Sequence, residues 1–361
     1  MAARLPLHAR DPEYRVLRIP PWRREPDRVL VEDKETGLEQ SWNPWTADVL
    51  EGLAANETYP SILDRLGRRW PDRRRAKSDE ALRRFLYTLH RLKAIELLFE
   101  SPASFAGARY QTIKELGRGG VGVAWLCRDS QTEREVVVKR AWDYFAPIEK
   151  SDALVRAELD VMRKLDHPRI AKAYDAFEEG GLIHLVREFA RGEELSRWRG
   201  KGIEDPAVRR RVALDILDIV AHLHERGYLL LDLRPANFFI DPVDMRAMLI
   251  DVGHCKPMTH GVADLGIPAR GKAHGSPGFA APETTKEGKA TPRTDVWGFG
   301  RLYSFIATGQ LPKAAMNVED LLARMDALGV SDEDRRVVAR CADDEPAARP
   351  ATMRDAAALL S

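Results

Sequence analysis

The spacing of apolar positions predicts short strands followed by helices in the first part of the chain. Runs rich in valine, leucine and isoleucine over 14–19, 28–32 and 38–42 predict three strands. Farther along, apolar residues recur at three- and four-residue spacing, which predicts three helices. The apolar positions of these helices are Leu50, Leu53, Ile62, Leu63, Leu66, Leu82, Phe85, Leu86, Leu89 and Leu92. The third helix is expected to end near 95–98, which completes a small module over 1–100.

A change of pattern near residues 101–108 predicts a domain boundary. This segment consists of small and weakly polar residues, a composition typical of linkers. From Tyr110 onward the pattern predicts a strand, a glycine-rich turn and a second strand. The sequence therefore predicts an N-terminal domain over 1–100, a linker over 101–108 and a larger domain over 109–361.

Charge and composition exclude several classes of protein. The 57 Lys and Arg residues nearly balance the 56 Asp and Glu residues, which argues against a bulk nucleic-acid or anionic-membrane binder. The three cysteines form no Cys-x-x-Cys pair, so neither a disulfide framework nor a zinc site is predicted. The N-terminus lacks the apolar segment of a secretion signal, and no apolar run reaches the roughly 18 residues of a membrane span. We expect a cytoplasmic protein with no membrane partner.

A glycine-rich turn introduces the candidate chemistry of the larger domain. Residues 117–122 match the pattern Gly-x-Gly-x-x-Gly, and such glycines let the backbone approach phosphates closely. A dinucleotide-binding loop would lead into a helix, whereas residues 124–127 continue as a strand. Residues 136–139 then form an apolar strand that ends in a lysine. This lysine needs a carboxylate partner, and Glu158, on a segment of helical periodicity, is the candidate.

At this point the sequence resembles the protein kinase family, in which a strand lysine pairs with a helix glutamate. Further segments resemble motifs of that family and occur in its order. They are Asp-Leu-Arg-Pro-Ala-Asn at 232–237, Asp-Val-Gly at 251–253, Gly-Ser-Pro-Gly-Phe-Ala-Ala-Pro-Glu at 275–283 and Asp-Val-Trp-Gly at 295–298. Arg349 stands where the family has an arginine that pairs with the glutamate corresponding to Glu283. The resemblance implies an α+β, bilobal protein-kinase fold over 109–361, preceded by a small winged-helix-like domain of three strands and three helices.

The resemblance also implies roles for the residues of these motifs. Asp232 would accept or orient the proton of the substrate hydroxyl, and Arg234 would neutralise charge on the transferring phosphoryl group. Asn237 and Asp251 would hold magnesium, a hard ion that prefers oxygen ligands. Ser276 stands where kinases that act on serine or threonine have a hydroxyl residue, so a Ser/Thr acceptor is expected rather than tyrosine.

The nucleotide site implied by the resemblance is an ATP site. Lys139, held by Glu158, would position the phosphates of ATP, and this catalysis would consist mostly of positioning and electrostatics. The residues implied to contact ATP are Gly117, Gly119, Gly122, Ala124, Val137, Lys139, Glu188, Ala190, Glu194 and Phe239.

Several positions depart from the family pattern. The His-Arg pair that precedes the catalytic aspartate is replaced by leucines at 230–231, so we do not expect activation through phosphorylation of the activation loop. Val252 replaces a phenylalanine. Arg187 occupies the gatekeeper position before the expected hinge at 188–190, and two interpretations remain open. It could pair with Glu158 or Asp251, or it could select a base other than adenine.

The N-terminal module resembles the PqqD-like peptide-recognition domain over residues 12–99. The resemblance implies that an extended peptide pairs with the strand at 38–42 and lies against the third helix. The ligand would be the leader of a ribosomally made natural-product precursor, whose Ser or Thr the kinase domain would then phosphorylate. Two other interpretations of this module remain. A basic run at 68–77 could contact DNA, or the module could be a regulatory or structural cap.

Two alternative functions remain open for the whole chain. One is a bacterial Ser/Thr signalling kinase with a regulatory N-terminal domain. The other is a pseudokinase scaffold that binds peptides without catalysis. The chain retains the lysine, glutamate, asparagine and both aspartates that the chemistry needs, which favours an active enzyme.

Overall fold

The computed structural model describes residues 13–33, 38–71, 75–91, 94–98, 101–118, 122–141, 148–266, 275–314 and 316–360. The chain divides into two compact units. The first unit comprises residues 1–134, 138–154 and 177–184, and the second comprises residues 135–137, 155–176 and 185–361.

The N-terminal part of the first unit contains five strands and three helices among its described residues. They are β1 (Glu13–Val16), β2 (Trp22–Arg24), β3 (Val29–Asp33), β4 (Leu38–Trp42), α1 (Thr46–Ala54), α2 (Tyr59–Arg69), α3 (Arg75–Arg91) and β5 (Ile95–Leu98). Strands β2, β3 and β4 form an antiparallel sheet in that order, so β4 is an edge strand. Strand β1 pairs with β5 in a separate antiparallel ribbon.

Two sequence predictions for this region are wrong. Ile95–Leu98 forms strand β5 instead of the end of the third helix, and α3 ends at Arg91. The predicted first strand pairs with β5 instead of joining the three-stranded sheet, where Trp22–Arg24 takes that place. A short apolar run fits a helix end and a strand equally well, and only the pairing with Glu13–Val16 decides between them. Strand β2 was missed because two of its three residues are arginines.

Aromatic rings connect the small sheet to α3. The Trp42 ring lies 4.8 Å from the Phe85 ring, and the Trp45 ring lies 6.2 Å from it, measured between centroids. Trp42 belongs to the edge strand β4, so this edge lies beside α3. The apolar faces of the three helices are buried in the same core.

The rest of the first unit contributes to a six-stranded sheet. Its strands are β6 (Ser104–Phe105), β7 (Tyr110–Arg118), β8 (Gly122–Asp129), β9 (Glu135–Ala141), β10 (Ala173–Glu179) and β11 (Leu182–Glu188), in the spatial order β10-β11-β9-β8-β7-β6. Helix α4 (Ile148–Met162) follows β9 in the chain. Residues 101–108, expected to be a linker, supply the edge strand β6. Phe105 of this strand is buried against the rings of Trp125 and His184.

His184 gives the first unit an acid-sensitive position. It is buried, and its ring stacks on Phe177 at 4.8 Å. Burial, with a smaller contribution from the charge of Arg140, lowers the pKa of His184 from 6.5 to about 4. As pH falls below about 6.5, the unfolded chain takes up a proton at this histidine while the folded chain does not, so the folded state loses stability.

We therefore expect a His184→Phe variant, which keeps the aromatic stack, to remove this acid sensitivity. Between pH 8 and pH 5 the wild type should lose about 2 kcal/mol more unfolding free energy than the variant. Urea unfolding of both proteins at the two pH values measures the difference. Equal losses in the two proteins would show that His184 does not titrate in this way.

The second unit is mainly helical. Its remaining elements are β12 (Glu193–Glu194), α5 (Pro206–Glu225), β13 (Tyr228–Leu229), β14 (Phe238–Ile240), β15 (Ala247–Leu249), β16 (Lys256–Pro257), β17 (Ala263–Asp264), α6 (Pro282–Lys286), β18 (Lys289–Ala290), α7 (Pro292–Thr308), α8 (Val318–Ala327), α9 (Asp332–Cys341) and α10 (Met353–Ala357). The mixed fold of helices and strands that the sequence predicts is confirmed. No helix in the described ranges is long and apolar enough to cross a membrane.

Helix α7 lies at the centre of this unit. It begins with a capping box between Thr291 and Thr294 and a proline in its first turn, both of which favour helix initiation. Most of its side chains are buried, and α5 and α9 pack against it. Helix α5 begins in a similar way, because the Asp205 side chain accepts a hydrogen bond from the Ala207 amide at 2.8 Å. A buried, well-capped helix can hold neighbouring loops in fixed positions.

Candidate active site

The Asp232 carboxylate is the centre of the site in the second unit. It is buried, and Ser276 Oγ donates a hydrogen bond to its Oδ1 at 2.7 Å. Asn237 Nδ2 donates to Asp232 Oδ2 at 3.1 Å and to the Asp232 carbonyl oxygen at 2.7 Å. Arg234 Nε lies 3.0 Å from Asp232 Oδ2. The structure therefore brings three of the predicted residues, Ser276, Asn237 and Arg234, around the carboxylate of a fourth, Asp232, and they fix its orientation.

The loop before Asp232 is held by helix α7. The buried Asp295 accepts hydrogen bonds from the Leu230 and Leu231 amides, each at 2.8 Å, and His224 Nε2 lies 2.8 Å from the same carboxylate. Leu231 has a φ of 61°, a left-handed conformation that costs a side chain with a Cβ roughly 1–2 kcal/mol. The two hydrogen bonds to Asp295 offset that cost. Sequence analysis identified Asp295 only as the start of a helix and did not predict this role.

Glu158 and Asp251 meet near Gly253. The Gly253 amide donates a hydrogen bond to Asp251 Oδ1 at 2.8 Å. A Cβ atom placed on Gly253 would lie 3.1 Å from Asp251 Oδ1 and 3.2 Å from Glu158 Oε2, tight enough that these carboxylates would have to shift slightly. Glu158 is buried and Asp251 is half-buried. The two carboxylates therefore converge on a position that only glycine fits without a shift of its neighbours.

Asn237 and Asp251 have the donor chemistry that magnesium prefers. The Ile250 amide donates to the Asn237 carbonyl oxygen at 3.0 Å, which ties the asparagine to the residue before Asp251. Asn237 uses its side-chain nitrogen for Asp232, so its side-chain oxygen is the atom that suits a cation. One carboxylate and one amide oxygen fit an ion that keeps its other positions for water and phosphate.

Arg187 is buried in the second unit, at the end of β11. Its Nη1 donates to the Glu188 carbonyl oxygen at 3.1 Å. Burial lowers the pKa of Arg187, and the charges of Glu158, Asp251 and Glu188 act in the opposite direction. Both interpretations of Arg187 therefore stay predictions.

The predicted phosphate-binding residues of the first unit have different surroundings. Lys139 is buried on β9. A Cβ atom on Gly117 would meet no atom within 4 Å, which leaves room beside the backbone. A Cβ atom on Gly122 would lie 2.0 Å from the Arg140 carbonyl oxygen, so this glycine is required by the close approach of β8 to β9. Gly119 lies outside the described residues.

The predicted base-binding residues are apolar or half-buried. Val137 and Ala190 are buried in the second unit, where Phe239 is half-buried on β14. Ala124 is half-buried on β8 of the first unit.

Two predicted nucleotide-binding glutamates already have backbone or side-chain partners. Glu188 Oε2 accepts from the Lys172 amide at 3.2 Å. Glu194 pairs with Phe239 between β12 and β14, and its carboxylate accepts from the Ser196 hydroxyl. These contacts fix both side chains, and their contact with ATP remains a prediction.

Sequence analysis also missed His254. Its Nε2 lies 4.0 Å from Asp232 Oδ2, and about half of its side chain is exposed. His254 directly follows the Asp-Val-Gly segment, and no sequence pattern indicated that its ring lies near Asp232. The neighbouring Cys255 is buried, and burial raises the pKa of its thiol, so this cysteine stays protonated.

An ion pair anchors the segment that follows Ser276. Arg349 binds Glu283 through two contacts, Nη1 to Oε1 at 2.7 Å and Nη2 to Oε2 at 3.1 Å. Thr294 Oγ1 of α7 donates to Glu283 Oε1 at 2.9 Å. The pair predicted between Arg349 and Glu283 is confirmed, and it fixes the end of this segment to the helical core.

Comparison with known proteins relates the larger part of the chain to one family. Residues 110–354 match the family model described as the protein kinase domain. The chain is 27% identical over 209 residues to the serine/threonine-protein kinase PrkC of Bacillus subtilis, a match that covers 56% of this chain and 31% of that protein. It is 28% identical over 271 residues to the serine/threonine-protein kinase PkaA of Streptomyces coelicolor, covering 68% of this chain and 48% of that protein. It is 30% identical over 212 residues to calcium/calmodulin-dependent protein kinase type IV of Mus musculus, covering 57% and 42%. The chain thus spans less than half the length of each of these relatives.

Proposed function

The chain belongs to the protein kinase family, and on this premise we propose that it transfers the γ-phosphoryl group of ATP to a serine or threonine hydroxyl of a peptide or protein. The observation that carries the proposal is the set of contacts around Asp232. A buried carboxylate oriented by Ser276, Asn237 and Arg234 is suited to receive a proton from an attacking hydroxyl.

The proposed reaction is an in-line displacement. The acceptor oxygen forms a bond to the γ-phosphorus, the bond between that phosphorus and the β,γ-bridging oxygen breaks, and the acceptor proton passes to an oxygen of Asp232. Arg234, beside this carboxylate, offsets negative charge on the transferring group. Asn237 and Asp251 would hold magnesium, which would supply charge neutralisation at the phosphates. Lys139 would orient the phosphates.

The acceptor class is argued from Ser276. Its hydroxyl donates to Asp232 Oδ1 at 2.7 Å, in agreement with the expectation for kinases that act on serine or threonine. The names of the bacterial relatives, both serine/threonine-protein kinases, support the same class.

For the N-terminal domain, which we place at 1–100, we propose peptide capture. The edge strand β4 can accept an extended peptide, and the Trp42–Phe85 contact places α3 beside it. A leader-like segment bound there would raise the effective concentration of an acceptor Ser or Thr in the same peptide. Part of the basic run is already used inside the fold, because Arg69 and Trp70 both donate to Asp48, and this argues against a DNA contact.

The test is phosphotransfer from γ-labelled ATP with magnesium. The full chain is incubated with a Ser/Thr peptide library, a matched Tyr library and small precursor-like peptides encoded beside its gene. We expect label on Ser or Thr, none on Tyr, and weaker transfer to the precursor-like peptides when residues 1–100 are removed. Transfer that is unaffected by the removal would leave a kinase without leader capture. Nucleotide binding with no transfer to any acceptor would contradict the proposed activity.

A further inference from the structure

Arg301 is a buried arginine on helix α7 that binds three backbone carbonyl groups. Only 1% of the residue is exposed. Its Nε donates to the carbonyl oxygen of Gly278 at 2.8 Å, its Nη1 to that of Met316 at 2.7 Å and its Nη2 to that of Lys313 at 2.6 Å. The planar guanidinium has donors on several edges, which allows one side chain to hold three backbone points at once.

The Gly278 carbonyl belongs to a tightly packed turn. Gly278 has a φ of 82°, and a Cβ atom placed on it would lie 2.1 Å from the Pro312 carbonyl oxygen. The backbone that precedes Lys313 therefore lies directly against this glycine. The Phe279 amide donates to the Ser276 carbonyl oxygen at 2.9 Å, which closes the turn. A displacement of Gly278 would consequently be passed to Ser276, two residues earlier.

One face of α7 carries contacts to both sides of the site. Asp295, Gly298 and Arg301 are spaced by three residues, so they are neighbours on the helix surface. Asp295 holds the loop that precedes the catalytic carboxylate. A Cβ atom on Gly298 would lie only 3.3 Å from Leu233 Cβ, so the helix approaches the same loop closely. Arg301 continues this face and holds the turn at Gly278.

We propose that Arg301 is a positioning residue for the acceptor of the phosphoryl group. Through Gly278 it keeps Ser276 in place, whose Oγ donates to Asp232 Oδ1 at 2.7 Å. Pro277, between the two, is exposed and lies where the chain that carries the acceptor hydroxyl has to pass. The inference rests on the proposed function, because it requires an acceptor hydroxyl delivered to Asp232. A misplacement of about 1 Å in such a site can cost about 10²-fold in rate.

The experiment measures kcat/KM for the acceptor, ADP affinity and melting temperature of the full chain. The acceptor is the Ser peptide of the library that the wild type labels best. Arg301→Met removes all three hydrogen bonds, and kcat/KM for this peptide should fall by about 10²-fold. ADP affinity should change by less than about threefold, because the change acts on the acceptor and not on the nucleotide. Arg301→Lys keeps the charge, but one ammonium cannot copy the planar fork, so kcat/KM should still fall by about tenfold.

Arg209→Met is the matched control for the same chemical change elsewhere in the unit. Arg209 is also buried, donates to the carbonyl oxygens of Ile203 at 2.7 Å and Glu204 at 3.3 Å, and pairs with Asp334 at 2.6 Å. Its loss leaves a buried carboxylate without its cation, so the melting temperature should fall at least as far as in Arg301→Met. Assayed below both melting temperatures, Arg209→Met should keep kcat/KM within about twofold of the wild type.

Three results would overturn the inference. Equal kcat/KM values for Arg301→Met and Arg209→Met would show a structural role only, and a parallel loss of ADP affinity would show a general disturbance of the site. If Arg301→Met does not fold, Arg301→Lys decides, since a wild-type kcat/KM in this variant contradicts a role for the fork. Absence of transfer by the wild type to any peptide overturns the proposed function, whereas transfer that is unchanged in the Arg301 variants overturns the positioning role alone.

Discussion

Replacing Asp232 with asparagine is expected to lower kcat of phosphotransfer by about 10²- to 10⁴-fold. The amide cannot take the proton of the acceptor hydroxyl, so the loss falls on the chemical step. Ser276 can still donate to the remaining oxygen at this position, and the loop remains attached to Asp295 through the Leu230 and Leu231 amides. ADP affinity should therefore change by less than about threefold.

Steady-state kinetics and ADP binding, measured on the same preparation, separate these two effects. Asp160→Asn is the matched control, because Asp160 is exposed on α4 and should retain the wild-type rate. Asp232→Asn with a rate within tenfold of the wild type would remove Asp232 from the role of proton acceptor. A parallel loss of ADP binding would show that the substitution disturbs the site as a whole.

Replacing Arg349 with methionine should produce the largest loss of stability. The Arg349 side chain is fully buried, with 0% exposure, and binds Glu283 through two hydrogen bonds. Its Nε also donates to the Asp343 carbonyl oxygen at 2.6 Å. Removing the arginine leaves a carboxylate inside the fold without its cation, a change that costs about 3–5 kcal/mol. We expect a fall in melting temperature of roughly 10 °C.

Arg354→Met is the control for the same chemical change at the surface. The Arg354 side chain is 66% exposed and pairs with Glu225, so its loss should cost less than about 1 kcal/mol. Urea unfolding and thermal melts of the two variants compare the buried and the exposed pair. Equal destabilisation by the two substitutions would contradict the argument. Glu283 also ends the segment that carries Ser276, so Arg349→Met should lower kcat in the protein that remains folded.

Arg349 and Arg187 are both buried, but they differ in their hydrogen-bond partners. Arg349 forms two direct contacts with one carboxylate, which makes it part of the scaffold. Arg187 donates one hydrogen bond to a backbone oxygen, and burial lowers its pKa. Loss of Arg349 should therefore affect mainly stability.

The sequence by itself determined the identity of the chemical groups. The segments 232–237, 251–253 and 275–283 are short strings with fixed internal spacing, and local spacing is visible without a structure. From them followed the family, the expected Ser/Thr acceptor and the pairing of Arg349 with Glu283. Helical periodicity also located the three N-terminal helices and the helix that carries Glu158, and the strand at 38–42 was identified as well.

Only the tertiary structure decided how distant parts of the chain meet. Three contacts could not be predicted from local spacing. They are the pairing of β1 with Ile95–Leu98, the hydrogen bond from the Leu231 amide to Asp295, and the proximity of His254 to Asp232. The physical reason is that pairing, burial and charge compensation depend on which residues become neighbours after folding, and in each of these cases the neighbours lie on different elements of the fold.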